Sequence, residues 1–170
     1  MLCSYYEADF DGLKTELTFC IQDENIVGIS FGYLNRGTDT GDADAGDDAG
    51  VSVAEAARRQ MLEYAAGRRR SFDLPIKFSG TEFQMKVWEA LMQIPYGETV
   101  SYQDIARTAG NPAACRAAGG ALHRNPIPII VPCHRVIGVN GSLTGFGGGL
   151  PLKKKLLQIE QQANALLHTR

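Results

Sequence analysis

The sequence has little of what marks membrane-spanning, secreted or disordered proteins. Its 170 residues include only four cysteines, and four scattered thiols are too few for the disulfide framework of a small secreted protein. No stretch approaches the roughly 18 apolar residues that span a membrane, and the first residues lack the basic and apolar regions of a signal peptide. With 44% hydrophobic and 21% charged residues, the chain can bury a core. We therefore expect a soluble, cytoplasmic and monomeric protein with no membrane partner.

The charges divide the chain into two unequal halves. Residues 1–72 carry 7 basic and 13 acidic side chains, whereas residues 73–170 carry 10 basic and 6 acidic ones, so the two net charges are −6 and +4. The segment RRRSFDLP around Phe72 is typical of an exposed linker, and we predict two domains, 1–72 and 73–170. A basic domain can approach a polyanion. Two domains that differ only in the surface charges that keep them soluble would show the same asymmetry. Charge alone therefore does not distinguish a polyanion-binding domain from this alternative.

The first half combines strands with one helix. LKTELTFC alternates apolar and polar side chains, which predicts a half-buried strand over residues 13–20, and Ile26 to Leu34 predicts its neighbour. Residues 35–50 contain almost no large apolar side chain, and we expect a mobile acidic loop there. A helix from Ser52 to Ala66 follows, with Gly67 as its end. The first half is therefore expected to be a small α/β domain.

The second half is predicted to be mostly helical, which makes the chain an α+β protein. Thr81 with Gln84 and Ser101 with Asp104 have the spacing of helix capping boxes. The predicted helices run over residues 82–94, 102–109, 112–123 and 151–167. The two middle helices, joined by a turn that contains glycine, are typical of a helix-turn-helix. The second of them is rich in Ala and Gly, with Arg116 as the long side chain on its exposed face, which favours either a sequence-independent groove contact or tight packing between helices.

Cys133 and His134 are adjacent on a loop stiffened by prolines. A thiol attacks as thiolate, and an imidazole oriented by a carboxylate promotes its deprotonation. Glu160 is our candidate for that carboxylate, because it lies on the apolar face of the last helix, where an unpaired charge is costly. The glycine-rich segment that follows lets a ligand approach the backbone closely, and Phe146 could form a pocket wall. The alternatives are a buried cysteine that only packs and a glutamate at the edge of the apolar face.

The segment NPIPIIVPCHRVIG closely resembles the active-site signature of the O6-alkylguanine-DNA alkyltransferases, also called methylated-DNA-protein-cysteine methyltransferases. The resemblance extends over GETVSYQDIA, AGNPAACRAAGGALHRNP and GGLPLKKKLLQIE, so it covers about residues 81–161. It implies a ribonuclease-H-like first domain and a mostly helical, winged-helix-like second domain whose helix-turn-helix enters the minor groove. It also implies a single-turnover repair enzyme that acts on double-stranded DNA. The alkyl group of O6-alkylguanine would pass irreversibly to Cys133 after the base is flipped out of the duplex.

The resemblance also implies a role for each matching residue. Cys133 is the alkyl acceptor, His134 the base that acts through a water, and Glu160 its orienting acid. Asn125 braces the active-site turn, and Tyr102 donates a hydrogen bond to the flipped base. The expected DNA contacts are Tyr102, Gln103, Asn111 and Arg116, of which Arg116 fills the space left in the stack. The expected pocket residues are Val136, Phe146, Gly147 and Gly148.

The resemblance raises the question of a structural metal site, and two alternative functions stay open. Some members of the family hold a structural zinc in the first domain through two Cys and two His, and Cys3 with Cys20 could be two such ligands. The three histidines, His123, His134 and His168, all lie in the second half, so we expect no metal and no cofactor. The alternative functions are a lesion-binding or alkylation-sensing DNA-binding module and a cysteine hydrolase.

Overall fold

A computed structural model of the protein describes residues 1–32 and 48–165, the latter with side chains from residue 53 onward. It divides the chain into two compact units, Met1–Phe78 and Ser79–Arg170, with a mixed α/β fold. Within the described ranges, no helix combines the length and the apolar character that a membrane crossing requires.

In its described residues, the first unit is a three-stranded antiparallel sheet with a helix against it. Its elements are β1 (Leu2–Phe10), β2 (Leu13–Gln22), β3 (Asn25–Phe31) and α1 (Asp48–Ala65). Alternate side chains of the strands, such as Phe10 and Phe19, are buried with Met61 and Tyr64 of α1, as expected for a sheet with one covered face. The sequence predicted β2 and β3. It missed β1, in which the exposed Tyr5 obscures the alternation of apolar and polar residues.

Helix α1 begins at Asp48, four residues before the predicted start at Ser52. The helix therefore takes up the end of the predicted 35–50 loop. The rest of that loop, with the prediction that it is mobile, lies outside the described residues, as does the predicted end of β3 at Leu34.

The first unit extends to Phe78, six residues beyond the predicted boundary at residue 72. The backbone N–H of Ile26 donates to the carbonyl of Pro75, and the N–H of Lys77 donates to the carbonyl of Ile26. The side-chain amide of Gln60 bonds both the N–H and the carbonyl of Asp73. These contacts attach residues 73–77 to the first unit.

The second unit, as far as residue 165, contains four helices and a two-stranded parallel sheet. In chain order these are α2 (Glu82–Met92), β4 (Val100–Ser101), α3 (Tyr102–Thr108), α4 (Cys115–His123), a 3₁₀ turn (Cys133–Arg135), β5 (Val136–Ile137) and α5 (Gly149–Ala165). Both predicted capping boxes are present, at the starts of α2 and α3. The pairing of β4 with β5 was not predicted, because two-residue strands leave no periodic pattern.

Four helix boundaries of the second unit differ from the prediction, one of them by a single residue, because α3 ends at Thr108 rather than Ala109. Helix α2 ends at Met92 rather than Ile94, and α4 begins at Cys115 rather than Pro112, because a turn from Asn111 to Ala114 precedes it. Helices α3 and α4 pack against each other across six connecting residues, whereas the predicted helix bounds leave only two. Helix α5 begins at Gly149 and is described to Ala165, so its predicted end at residue 167 lies outside the described residues.

Candidate active site

The loop before Cys133 is held by the side chain of Asn125. Its Oδ1 accepts the N–H of Ile127 at 3.0 Å, and its Nδ2 donates to the carbonyl of Val131 at 2.8 Å. Ile129, at the tip, has a φ of 76°, a conformation that strains a β-branched residue. The side-chain and backbone bonds across this loop offset that cost and fix the direction in which the chain enters the 3₁₀ turn.

Cys133 begins the 3₁₀ turn and is buried, with 8% of its surface exposed. Its N–H donates to the carbonyl of Val131 at 2.8 Å. Burial raises the pKa of the Cys133 thiol, while a hydrogen bond with Asn125 and the charge of Lys153 act in the opposite direction. Since a thiol already titrates above neutrality, the resting protein holds Cys133 as a thiol and needs a base to form the nucleophile.

Glu160 on α5 is fully buried and accepts hydrogen bonds from three residues. Its Oε1 is 2.9 Å from His134 Nε2. Arg135 donates from Nε to both carboxylate oxygens and from Nη2 to Oε1. The N–H of Gly97 donates to Oε2 at 3.0 Å. Burial alone would raise the pKa of Glu160, but the hydrogen bond with His134 and the bonds and charge of Arg135 lower it well below its usual range. The carboxylate is therefore ionised at neutral pH.

His134 is also fully buried, and burial lowers its pKa despite the opposing effect of Glu160. The imidazole is therefore neutral at pH 7. An ionised carboxylate accepts only, so the proton of the neutral ring lies on Nε2 and Nδ1 is the nitrogen that can take a proton. With His134 neutral, the permanent charge of Arg135 holds Glu160 ionised. The His134–Glu160 pair can accept a proton and stabilise the imidazolium that results.

Arg135 and Glu160 also fix the segment that leads from α2 to β4. Arg135 Nη1 donates to the carbonyl of Ile94 at 2.7 Å, and Asn164 Nδ2 donates to the carbonyl of Tyr96 at 2.8 Å. Gly97 has a φ of 80°, and a Cβ there would collide with the Asn164 amide. Only glycine can lie this close to Asn164 with a positive φ and without strain. These contacts hold the segment before Tyr102 against the buried network.

Lys153 on α5 is fully buried. Its Nζ donates to the carbonyls of Val136 at 2.7 Å and Thr144 at 2.8 Å. Burial lowers the pKa of Lys153, and the neighbouring Cys133 opposes that effect. The ammonium group therefore joins β5 to the glycine-rich segment and supplies positive potential at the thiol.

Tyr102, at the start of α3, reaches the glycine-rich segment through its hydroxyl group. Thr144 Oγ1 donates to the Tyr102 hydroxyl oxygen at 2.9 Å, which leaves the phenolic hydrogen available for another acceptor. Phe146 lies edge-on to the His134 ring, with centroids 6.3 Å apart. The structure therefore brings Tyr102 and Phe146 to the side of the site that the glycine-rich segment forms.

The other residues predicted from sequence divide into two groups. Val136 is buried and Gly148 half-buried, whereas Gly147 is exposed. The predicted DNA-contact residues Gln103, Asn111 and Arg116 are exposed on α3, on the connection after it and on α4. Gln103, Asn111 and Arg116 are therefore accessible to solvent and lie outside the buried hydrogen-bond network.

Comparison with known proteins gives the family. Residues 82–162 match the family model described as 6-O-methylguanine DNA methyltransferase, DNA binding domain. The chain is 58% identical over 104 residues to the methylated-DNA–protein-cysteine methyltransferase of Methanosarcina acetivorans, covering 61% of this chain and 67% of that protein. A crystal structure of Mycobacterium tuberculosis OGT in complex with DNA aligns at 41% identity, with a TM-score of 0.73, over 87% of this chain and 88% of that one. The chain belongs to the methylated-DNA–protein-cysteine methyltransferase family.

Similarity to the curated family members is confined to part of their length. Against the inducible methylated-DNA–protein-cysteine methyltransferase of Bacillus subtilis, identity is 51% over 106 residues, which is 62% of this chain and 59% of that protein. The chain thus spans about three fifths to two thirds of these relatives. Every residue of the buried network described above lies within or next to the stretch that matches the family model.

Sequence reasoning missed several residues of this family member's site, among them Arg135, Thr144 and Lys153. Lys153 precedes the buried Leu156 by three residues and Glu160 by seven, so helical spacing alone places it on the buried face of α5. Arg135 follows His134 directly, and a buried carboxylate predicts a cationic partner close by. Thr144 had no such signal, because glycine-rich loops do not follow a periodic pattern.

The two cysteines of the first unit are neighbours in the sheet of this methyltransferase-family chain. Cys3 and Cys20, considered above as zinc ligands, lie opposite each other on β1 and β2. Among the described residues, no group of three or more Cys, His, Asp or Glu side chains is placed to hold a metal ion. The absence of a metal stays a prediction.

Proposed function

We propose that the protein repairs DNA by transferring the alkyl group of O6-alkylguanine to Cys133 in a single, irreversible turnover. The observation that carries this proposal is the buried network in which Cys133 follows a braced loop and His134 bonds an ionised Glu160. A neutral imidazole held by an ionised carboxylate is the base that such a thiol requires.

The transfer is a displacement at the alkyl carbon. His134 takes the Cys133 proton through a water, and the thiolate sulfur attacks the carbon bound to O6 of guanine. The carbon–oxygen bond breaks as the carbon–sulfur bond forms, and the electron pair leaves with the guanine. A hydrogen bond from the Tyr102 hydroxyl stabilises that leaving group. The protein keeps a thioether, which water does not hydrolyse, so each molecule reacts once.

Reaction at O6 requires the guanine to leave the duplex, because a buried thiol cannot reach an atom inside the base stack. We propose that α3 and α4 act as a helix-turn-helix in the minor groove, where small residues of α4 allow close approach. Arg116 replaces the flipped base in the stack, while Gln103 and Asn111 contact the DNA beside it. Val136, Phe146, Gly147 and Gly148 line the pocket that receives the guanine.

The same proposal assigns each compact unit to a domain. The antiparallel sheet followed by a helix supports a ribonuclease-H-like first domain, and the helices with the small β4–β5 sheet support a winged-helix-like second domain that binds DNA and transfers the alkyl group. The cytoplasmic location, the monomeric state and the independence of a cofactor stay predictions.

Intact mass spectrometry tests the reaction directly. The protein is mixed with an equimolar duplex that contains one O6-methylguanine, and the Cys133 peptide is mapped. We expect a gain of one methylene on that peptide in one-to-one yield, and none in Cys133→Ser. Tight lesion binding without an adduct would instead indicate a lesion-binding or alkylation-sensing module. Multiple turnovers on an ester or amide would indicate a cysteine hydrolase.

A further inference from the structure

The thiols of Cys3 and Cys20 face each other on the outer side of the first sheet. The two residues are direct partners in the β1–β2 register. On β1, Tyr6, Ala8 and Phe10 are buried, so strand alternation puts Cys3 on the opposite face, with the exposed Tyr5. Both cysteines are partly accessible, and a small reagent can therefore reach them.

The distance between the two sulfur atoms is 3.2 Å. A disulfide bond is about 2.05 Å long, so the sulfur atoms must approach by little more than about 1 Å. Residues directly opposite in an antiparallel pair have Cβ atoms about 4.5–5.5 Å apart, and a disulfide needs about 3.5–4.5 Å. A small closure of the strands or a side-chain rotation meets that requirement.

The surroundings leave room for this adjustment. The partner of Cys20 on β3 is Gly28, which places no side chain next to the thiol. The register of β2 with β3 is irregular between Cys20 and Ile21, and such irregularities bend a strand and increase its twist. The other two cysteines belong to the second unit, where Cys133 is buried and Cys115 is exposed on α4.

We propose that Cys3 and Cys20 form a reversible cross-strand disulfide when the protein meets a small-molecule disulfide oxidant. One cysteine thiolate attacks the oxidant and releases one thiolate of it, which gives a mixed disulfide on the protein. The second cysteine thiolate attacks that protein sulfur, forms the Cys3–Cys20 bond and releases the other half of the oxidant. The protein loses two electrons and two protons, and the oxidant is reduced to two thiols.

The bond would close the open end of the β1–β2 hairpin. Cys3 lies next to the first residue of β1, and Cys20 is two residues before the end of β2, whereas the connecting turn lies at the other end. A cross-link at this position restrains the unfolded chain and prevents the strand ends from separating. Oxidation is therefore expected to raise the melting temperature.

Peptide mapping after oxidation tests this proposal. The fully reduced protein is treated with glutathione disulfide, and the remaining thiols are blocked before digestion with trypsin under non-reducing conditions. Cleavage after Lys14 separates the two cysteines, so the disulfide appears as peptides 1–14 and 15–36 joined in one species. We expect this species from monomeric protein, its loss on reduction, and a higher melting temperature of the oxidised protein.

Cys3→Ser and Cys20→Ser are matched controls, because each removes one sulfur and leaves the other. Each is expected to abolish the joined species, to carry glutathione on the remaining cysteine and to show no rise in melting temperature on oxidation. Stable glutathione adducts on Cys3 or Cys20 of the unchanged protein, or a bond found only between two chains, would overturn the proposal. Both outcomes are independent of alkyl transfer, which uses residues of the second unit.

Discussion

At the scale of single residues, the ammonium group of Lys153 acts on the Cys133 thiol through its charge. Burial raises the pKa of Cys133, and the charge of Lys153 counteracts part of that rise. A buried cation is costly to keep, and its two carbonyl contacts offset this cost while they hold the glycine-rich segment to β5. Lys153 therefore links the reactivity of the thiol to the shape of the pocket.

Replacing Lys153 by Met is expected to move the pH profile of alkyl transfer to higher pH. Without the ammonium group the Cys133 pKa rises further, and each unit of rise lowers the thiolate fraction at neutral pH about tenfold. Rates with O6-methylguanine duplex, measured over a pH series, check this. Lys154→Met is the matched control, since Lys154 is the exposed neighbour on the same helix. An unchanged profile in Lys153→Met would exclude the electrostatic role.

The orientation of the Tyr102 hydroxyl group depends on its hydrogen bond with Thr144. Replacing Thr144 by Val removes the donor that orients the phenolic O–H. We expect transfer to slow by about 2- to 10-fold, because a hydrogen bond of this kind contributes about 0.5–1.5 kcal/mol. Thr144→Ser keeps the hydroxyl and is expected to retain the rate. Single-turnover kinetics on the duplex substrate distinguish the variants, and equal losses in both would assign the effect to packing.

At the scale of elements, α4 combines a packed face with an exposed one. Trp88 Nε1 donates to the carbonyl of Ala121 at 3.0 Å, and Ala118, Ala121 and Leu122 are buried, which fixes α4 against α2. The opposite face carries Arg116 among small residues. Such a helix can lie close to a DNA backbone with one long side chain projecting from it.

Replacing Arg116 by Ala is expected to slow repair of duplex DNA much more than reaction with the free base O6-benzylguanine. A residue that occupies the space of a flipped base contributes about 1–3 kcal/mol of stacking, which is about 5- to 150-fold. The free base requires no flipping and is therefore unaffected. Arg124→Ala removes an exposed arginine at the end of the same helix and serves as the control. Equal losses on both substrates would show that Arg116 does not replace the base.

At the scale of the whole molecule, buried ionisable groups make stability depend on pH. The folded state lowers the pKa of Glu160 from 4.5 to about 2 and lowers the pKa of His134 from 6.5. Both groups therefore bind protons more readily in the unfolded chain. Their contribution to stability is full above those unfolded values and is lost as the pH falls.

We expect the free energy of unfolding to decrease below about pH 6.5, as His134 titrates in the unfolded chain, and again between about pH 4.5 and 2 because of Glu160. Urea unfolding over a pH series measures both. Glu89→Gln, which changes an exposed carboxylate on α2, is expected to leave the curve unchanged. A flat curve between pH 7 and 2 would contradict the buried ion pair.

The sequence by itself determined the local features of this protein. Capping boxes, amphipathic spacing and the PCHR segment lie in neighbouring residues, which is why the helices and the adjacent Cys133 and His134 were predictable. The contact of His134 with Glu160, 26 positions away, was expected because an unpaired carboxylate on the apolar face of a helix is costly, and the structure confirms that contact. Tertiary structure decided what depends on distant residues: the Arg135 contacts with Glu160 and Ile94, the burial of Lys153, the contact of Tyr102 with Thr144, and the Cys3–Cys20 pair. These contacts join residues 17 to 42 positions apart, and short-range periodicity carries no information about such pairs.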